Sequence, residues 1–170
     1  MIPKMKENLQ ITADSNFKLG ENTSRHENAL KGRKTMGKYF GTDGFRGEAN
    51  VNLTVNHAFK VGRFLGYYFG KEHKARIVIG KDTRRSSYMF EDALSAGLTA
   101  SGADAYLLHV TTTPSVSYVV RSEDFDCGIM ITASHNPKEY NGYKVFWSDG
   151  AQVTSPVDKD IVAEVAKITD

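Results

Sequence analysis

The sequence is short of several residue types: it has one cysteine, Cys127, four prolines and one tryptophan in 170 residues. A lone thiol permits no internal disulfide, which excludes a disulfide-stapled secreted scaffold. No apolar run approaches the roughly 20 residues that a membrane helix needs. Nor does the stretch from Ile2 to Leu19 hold the apolar segment of about 7–15 residues that marks a secretory signal. A cytoplasmic setting without membrane association is the expectation. An excess of one charge is missing too, since 22 Lys+Arg against 20 Asp+Glu leave a net charge of +2. Residues 1–36 hold seven basic and four acidic side chains, while residues 37–170 hold fifteen and sixteen. The long second part is nearly neutral and shows no basic stripe, so nucleic acid is not an expected partner.

What is present divides at Met36. Residues 1–36 are polar, lack apolar periodicity and end in Lys31-Gly32-Arg33-Lys34, which reads as a disordered leader or extension. Acidic Glu7, Asp14, Glu21 and Glu27 argue against a transit peptide. From Gly37 to Asp170 short apolar runs alternate with longer amphipathic stretches, the pattern of a layered α/β domain. Thr54 is placed to cap a helix with Val55, Ala58, Phe59, Gly62, Leu65, Gly66 and Phe69 on one stripe. A buried strand is expected at Ile77–Ile79, a polar loop at Lys81–Ser86, and a second helix carrying Met89, Phe90, Ala93, Leu94, Gly97 and Leu98. Ala105–Val110 reads as a strand, and Thr113-Pro114 as cap and first residue of a third helix. Strands follow at Asp126–Thr132 and Tyr143–Trp147, and Ser155-Pro156-Val157-Asp158 reads as a capping box for a last helix. Repeated strand–helix–strand units imply a three-layer α/β/α fold, a mostly parallel mixed sheet with helices on both faces. Ligands of such sheets gather beyond the carboxyl ends of the strands, where Lys81–Ser86, Thr111–Thr113 and Ala133–Asn141 lie.

Chemistry concentrates in Thr132-Ala133-Ser134-His135-Asn136-Pro137. A serine on a tight turn after a strand is exposed on a rigid support, as a nucleophile must be, and His135 beside it can exchange a proton. The G-x-S-x-G elbow of hydrolases is absent, so acyl transfer has little support, and a plain turn cap remains open for Ser134. Lys144 follows ten residues later and is either a solvated strand lysine or a point charge for a phosphorylated serine. Gly41-Thr42-Asp43-Gly44-Phe45-Arg46-Gly47 places glycines around Arg46, which suits either close approach of an anion or a plain hairpin. Lys81-Asp82-Thr83-Arg84-Arg85-Ser86 reads as a structural Asp–Arg pair with a serine cap, or as phosphate binding at a helix start. His57 and His73, read as helix-surface residues, and His109, in a strand, have no partner at metal-ligand spacing.

Three segments in this order, Gly41–Gly47, Gly80-Lys81-Asp82-Thr83-Arg84 and Thr132–Pro137, resemble the first domain of the α-D-phosphohexomutase family, which includes phosphoglucomutase, phosphomannomutase and phosphoglucosamine mutase. The resemblance covers essentially all of residues 37–170. It implies that Ser134 is the phosphoserine that hands its phosphoryl group to a sugar monophosphate and recovers one from the bisphosphate formed. It implies that His135 and Lys144 are the acid–base and phosphate-orienting groups, and that Arg46 faces the phosphoserine. It further implies Mg²⁺ on a phosphoryl oxygen of Ser134, and a glucose 1,6-bisphosphate-type activator. Its other metal ligands are implied to lie in a second of four domains, and no D-x-D-x-D cluster occurs in this chain. The chain is therefore expected to be the phosphoserine domain alone, inactive by itself, with the remaining domains and a sugar phosphate as partners. Met36–Gly44 and Thr111–Pro114 resemble phosphoglucosamine mutase, whereas Pro137–Lys144 with Trp147 and Asp149–Gln152 resemble phosphoglucomutase and phosphomannomutase. The alternatives are a non-enzymatic phosphate- or nucleotide-binding module and a stand-alone phosphatase using Ser134.

Overall fold

The computed structural model describes Phe40–Gly41, residues 44–154 and residues 157–168, all within one compact unit, Met36–Thr169. The leader, Thr42, Asp43, the Ser155-Pro156 cap and the Asp158 side chain lie outside the described residues. In chain order the elements are β1 (Phe40–Gly41), β2 (Gly44–Glu48), α1 (Val55–Phe69), β3 (Arg76–Lys81), α2 (Arg85–Ala100), β4 (Asp104–Val110), α3 (Thr113–Ser122), β5 (Cys127–Ile131), β6 (Tyr140–Trp147) and α4 (Val157–Lys167).

Strands line up in the order β1-β2-β6-β5-β3-β4. β3 is parallel to both β4 and β5. The β5–β6, β6–β2 and β2–β1 ladders are antiparallel, so the mixed sheet has more antiparallel ladders than strand–helix alternation alone suggests. The chain steps outward from β3 to β4 and then back across β3 to β5. Right-handed crossovers in opposite directions must run on opposite faces. Accordingly α2 packs with α1 and α4 on one face, through Phe64, Leu94, Ile161 and Val165 against Ile77, Ile79 and Ile129. On the other face α3 packs Val116 and Val120 on Val78, Met130 and Phe146. This is the three-layer α/β/α architecture, with β3 and β5 buried at its centre. β4 is an edge strand, and Tyr106, Leu107 and Val110 remain exposed along it.

Local signals hold with small shifts. Thr54 caps α1 by accepting a hydrogen bond from the His57 amide. At α3 the cap is Thr112 rather than Thr113, and Pro114 falls one place further into the first turn, still free of any lost hydrogen bond. α1 and α2 cross closely because a Cβ at Gly97 would overlap the Phe59 carbonyl. β6 begins at Tyr140, three residues before the expected start, because Asn141 is fully buried and bonded to α2 instead of ending the polar Ala133–Asn141 loop. No helix among the described residues is long and apolar enough to cross a membrane.

Candidate active site

β5 is buried along its whole length and delivers the chain to the carboxyl end of the sheet. Pairing continues one step further, since the Thr132 amide donates to the Gly142 carbonyl at 3.0 Å. Ala133 is still buried, and then Ser134 emerges, exposed, in the left-handed region at φ 56°. A non-glycine residue there costs on the order of 1–3 kcal/mol, which the surroundings must offset. They do so from both sides of the peptide. The Ser134 amide donates to Thr132 Oγ1 at 2.9 Å. Arg84 Nη2 donates to the Ser134 carbonyl at 2.9 Å and to the Asn136 carbonyl at 3.0 Å. The backbone of Ser134 is therefore held, and its hydroxyl faces outward without a hydrogen bond to another described residue.

The expected partners come from two neighbouring strands. Lys144 stands opposite Met130, and Arg46 stands opposite Gly142. Side chains alternate along a strand, so with Phe45 and Tyr143 on the α1–α2 face, Arg46 and Lys144 share the α3 face at diagonal positions. Both are half-buried. Gly142 between them cannot carry a side chain: a Cβ there would overlap the Phe45 carbonyl and come within 3.0 Å of Arg46 Cγ. Arg46 thus crosses β6 where Gly142 joins Thr132, two residues before Ser134. His135 is exposed beside the serine, and no hydrogen bond or ion pair ties it to another described residue. The register thus brings Arg46 and Lys144 to the sheet end that carries Ser134, and chain adjacency brings His135.

The segment Lys81–Ser86 is not a uniformly polar loop. Lys81 ends β3 fully buried, paired with the Glu91 carboxylate of α2 and 3.8 Å from the Tyr88 ring centre. Asp82 and Arg84 form the Asp–Arg pair, with Arg84 Nε 3.1 Å from Asp82 Oδ2. Arg84 also grips the serine loop, a role that its position before a helix did not disclose, because its acceptors lie 50 and 52 residues onward. His57 is not a free surface residue: it packs edge-on to Phe45 and parallel to Tyr143, and burial, with Lys60 nearby, lowers its pKa to about 4. His73 falls after α1 rather than on it and meets Asp126 at 2.8 Å. His109 meets Glu91 at 3.3 Å. The Cys127 thiol is buried, which pushes its pKa up and makes it inert. Among the described residues no three His, Cys, Asp or Glu side chains are grouped to hold a metal ion. The described residues alone therefore do not assemble a carboxylate set for a Mg²⁺ ion.

Residues 37–170 match the family model described as phosphoglucomutase/phosphomannomutase, alpha/beta/alpha domain I. The chain belongs to this family. Among curated relatives, the phosphoglucosamine mutase of Lachnospira eligens is 71% identical over 138 residues, covering 79% of this chain and 30% of the relative. The phosphoglucosamine mutase of Lachnoclostridium phytofermentans is 74% identical over 124 residues, 73% of this chain and 28% of the relative. A solved phosphoglucomutase/phosphomannomutase family protein from Burkholderia thailandensis superposes with a TM-score of 0.67 at 25% identity, over 75% of this chain and 30% of that one. The chain thus spans about 30% of the length of the relatives it matches.

Proposed function

We propose that residues 37–170 are the phosphoserine domain of a phosphoglucosamine mutase, which interconverts the 6-phosphate and 1-phosphate of glucosamine through a bisphosphate. The observation that carries this reading is the Ser134 loop: an outward hydroxyl on a residue clamped in the left-handed conformation, with Arg46 and Lys144 at the same sheet end. High identity to phosphoglucosamine mutases favours the amino sugar over glucose or mannose, although Pro137–Lys144 has the texture of the other branches.

In this reading the bond between Ser134 Oγ and phosphorus breaks as a substrate hydroxyl oxygen bonds to phosphorus. The hydroxyl proton passes to a base, and the serine oxygen is left to be rephosphorylated from the other end of the bisphosphate. A phosphoserine carries about −1.5 to −2 charges, so Arg46 and Lys144 have a clear electrostatic task there. Arg46 offers a planar fork and Lys144 a point charge. His135, next to the serine, or Lys144 serves the proton. Divalent metal would neutralise phosphoryl charge, but the described residues do not group its ligands, and no step here is routed through it.

The test is a chimera in which residues 37–170 replace the corresponding segment of the Lachnospira eligens enzyme. Glucose 1,6-bisphosphate should phosphorylate Ser134, located by mass spectrometry, and glucosamine 6-phosphate should be converted. Ser134→Ala should lower turnover on the order of 10⁴-fold or more. Phosphate found elsewhere, or activity kept after Ser134→Ala, overturns the reading.

A further inference from the structure

We propose that Asp82 is a positioning residue whose carboxylate gathers two hydrogen-bond chains, one from the Ser134 loop and one from the strand that carries Lys144. The proposal rests on the reading of Ser134 as the phosphoryl carrier. In the first chain the Ser134 amide donates to Thr132 Oγ1 at 2.9 Å, and that hydroxyl donates to Asp82 Oδ2 at 2.8 Å. In the second, Asn141 Nδ2 donates to Ser87 Oγ at 2.9 Å, and Ser87 donates to Asp82 Oδ1 at 2.8 Å. The Asn141 side chain turns back to accept the Gly142 amide at 2.9 Å, and the Gly142 carbonyl accepts from Thr132, which closes the circuit. The Ser134 loop and the Asn141-Gly142 start of β6 are therefore tied to the two oxygens of one carboxylate.

The direction of these bonds is what identifies Asp82. A hydroxyl has a single proton, so Thr132 can present a lone pair to the Ser134 amide while donating only if its other partner is an acceptor. Ser87 is constrained in the same way between Asn141 and Asp82. An ionised carboxylate, acceptor-only with about four lone-pair sites, satisfies both hydroxyls together with the Arg84 amide at 3.0 Å. Ordinary capping of α2 does not account for the arrangement. The cap position is Arg84, and two of the donors to Asp82 are hydroxyls whose own partners lie on the β5 loop and on β6. An asparagine at 82 has one acceptor oxygen and an amide that only donates, so it fits the space yet must reverse one chain.

The chain itself supplies a readout independent of phosphorylation, hydrogen exchange of the Ser134 amide followed by NMR. Asp82→Asn and Thr132→Val should speed that exchange roughly 10-fold, the loss of one hydrogen bond, while Thr132→Ser stays within about 2-fold and the Ile129 amide is unchanged. In the chimera, Asp82→Asn should lower kcat roughly 100-fold and leave KM for the sugar phosphate within about 2-fold, as a misplacement of reacting groups does. Unchanged exchange at Ser134 in both Asp82→Asn and Thr132→Val overturns the proposal, as does a raised KM with kcat retained. If Asp82→Asn fails to fold, Thr132→Val against Thr132→Ser decides it. A wild-type chimera that never phosphorylates Ser134 sinks the mutase reading instead, and the exchange data then stand on bracing alone.

Discussion

His57 shows how one side chain changes meaning between sequence and structure. At the third position of a polar helix start it reads as solvated, yet its ring lies 5.1 Å from Phe45 and 6.2 Å from Tyr143 between centroids. Burial first, and the Lys60 charge second, hold its pKa at about 4, against 6.5 when the chain is unfolded. The imidazole is thus neutral in the folded protein over a range where the unfolded chain takes up a proton. Stability from this residue is complete above about pH 6.5, falls as the pH drops toward 4, and levels off below that. The full span corresponds to about 3 kcal/mol at 1.36 kcal/mol per pH unit. Urea unfolding of wild type and His57→Gln at pH 7 and pH 4 reads it directly. The wild-type advantage should shrink by about that amount at the lower pH, and parallel pH profiles would show that the packing around His57 does not control its charge.

Between elements, the junction of β3 and α2 depends on Lys81 and Glu91, both buried, with the exposed His109 ring 3.3 Å from Glu91 Oε2. The second carboxylate oxygen of Glu91 has no hydrogen bond. Such a pair is costly to break and cheap to replace as a unit. Lys81→Met should therefore lose about 3–5 kcal/mol in denaturant unfolding, while Lys81→Met with Glu91→Leu should recover most of it. A single variant as stable as wild type would show that water reaches Glu91. The same junction explains what the sequence could and could not disclose. Alternating strand and helix patterns revealed the layers, and the Ser134 and Arg46 segments pointed to the candidate site, because both signals are local. Lys81 looked like the start of a polar loop because its acid partner sits ten residues on, inside a helix. Asp82 accepts from Thr132, and Arg84 donates to the Ser134 and Asn136 carbonyls, each about fifty residues onward, and Asn141 read as the end of a polar loop because its hydroxyl partners lie on α2. Two adjacent threonines could each cap α3, and only Thr112 lies where it accepts the Ser115 amide.

For the whole molecule the deciding comparison is between what the site gathers and what turnover requires. One end of the sheet presents a clamped serine, Arg46, Lys144 and His135, the groups that the proposed phosphoserine reading calls for. Nothing among the described residues groups carboxylates for a metal, and the chain spans about 30% of its relatives. A phosphoryl group leaving serine as a loosely bonded, charge-spread species needs its reacting oxygens aligned and its charge neutralised from several directions. One face of one domain supplies only some of those directions. The 170-residue chain incubated with Mg²⁺, glucose 1,6-bisphosphate and glucosamine 6-phosphate should therefore give no glucosamine 1-phosphate, whereas the chimera should. Sustained release of inorganic phosphate by the chain alone would instead mark a phosphatase that uses Ser134 and water. Preferential binding of nucleotides over sugar phosphates in calorimetry would mark a binding module. Either result would mean that the geometry around Ser134 serves a different chemistry from that of the relatives.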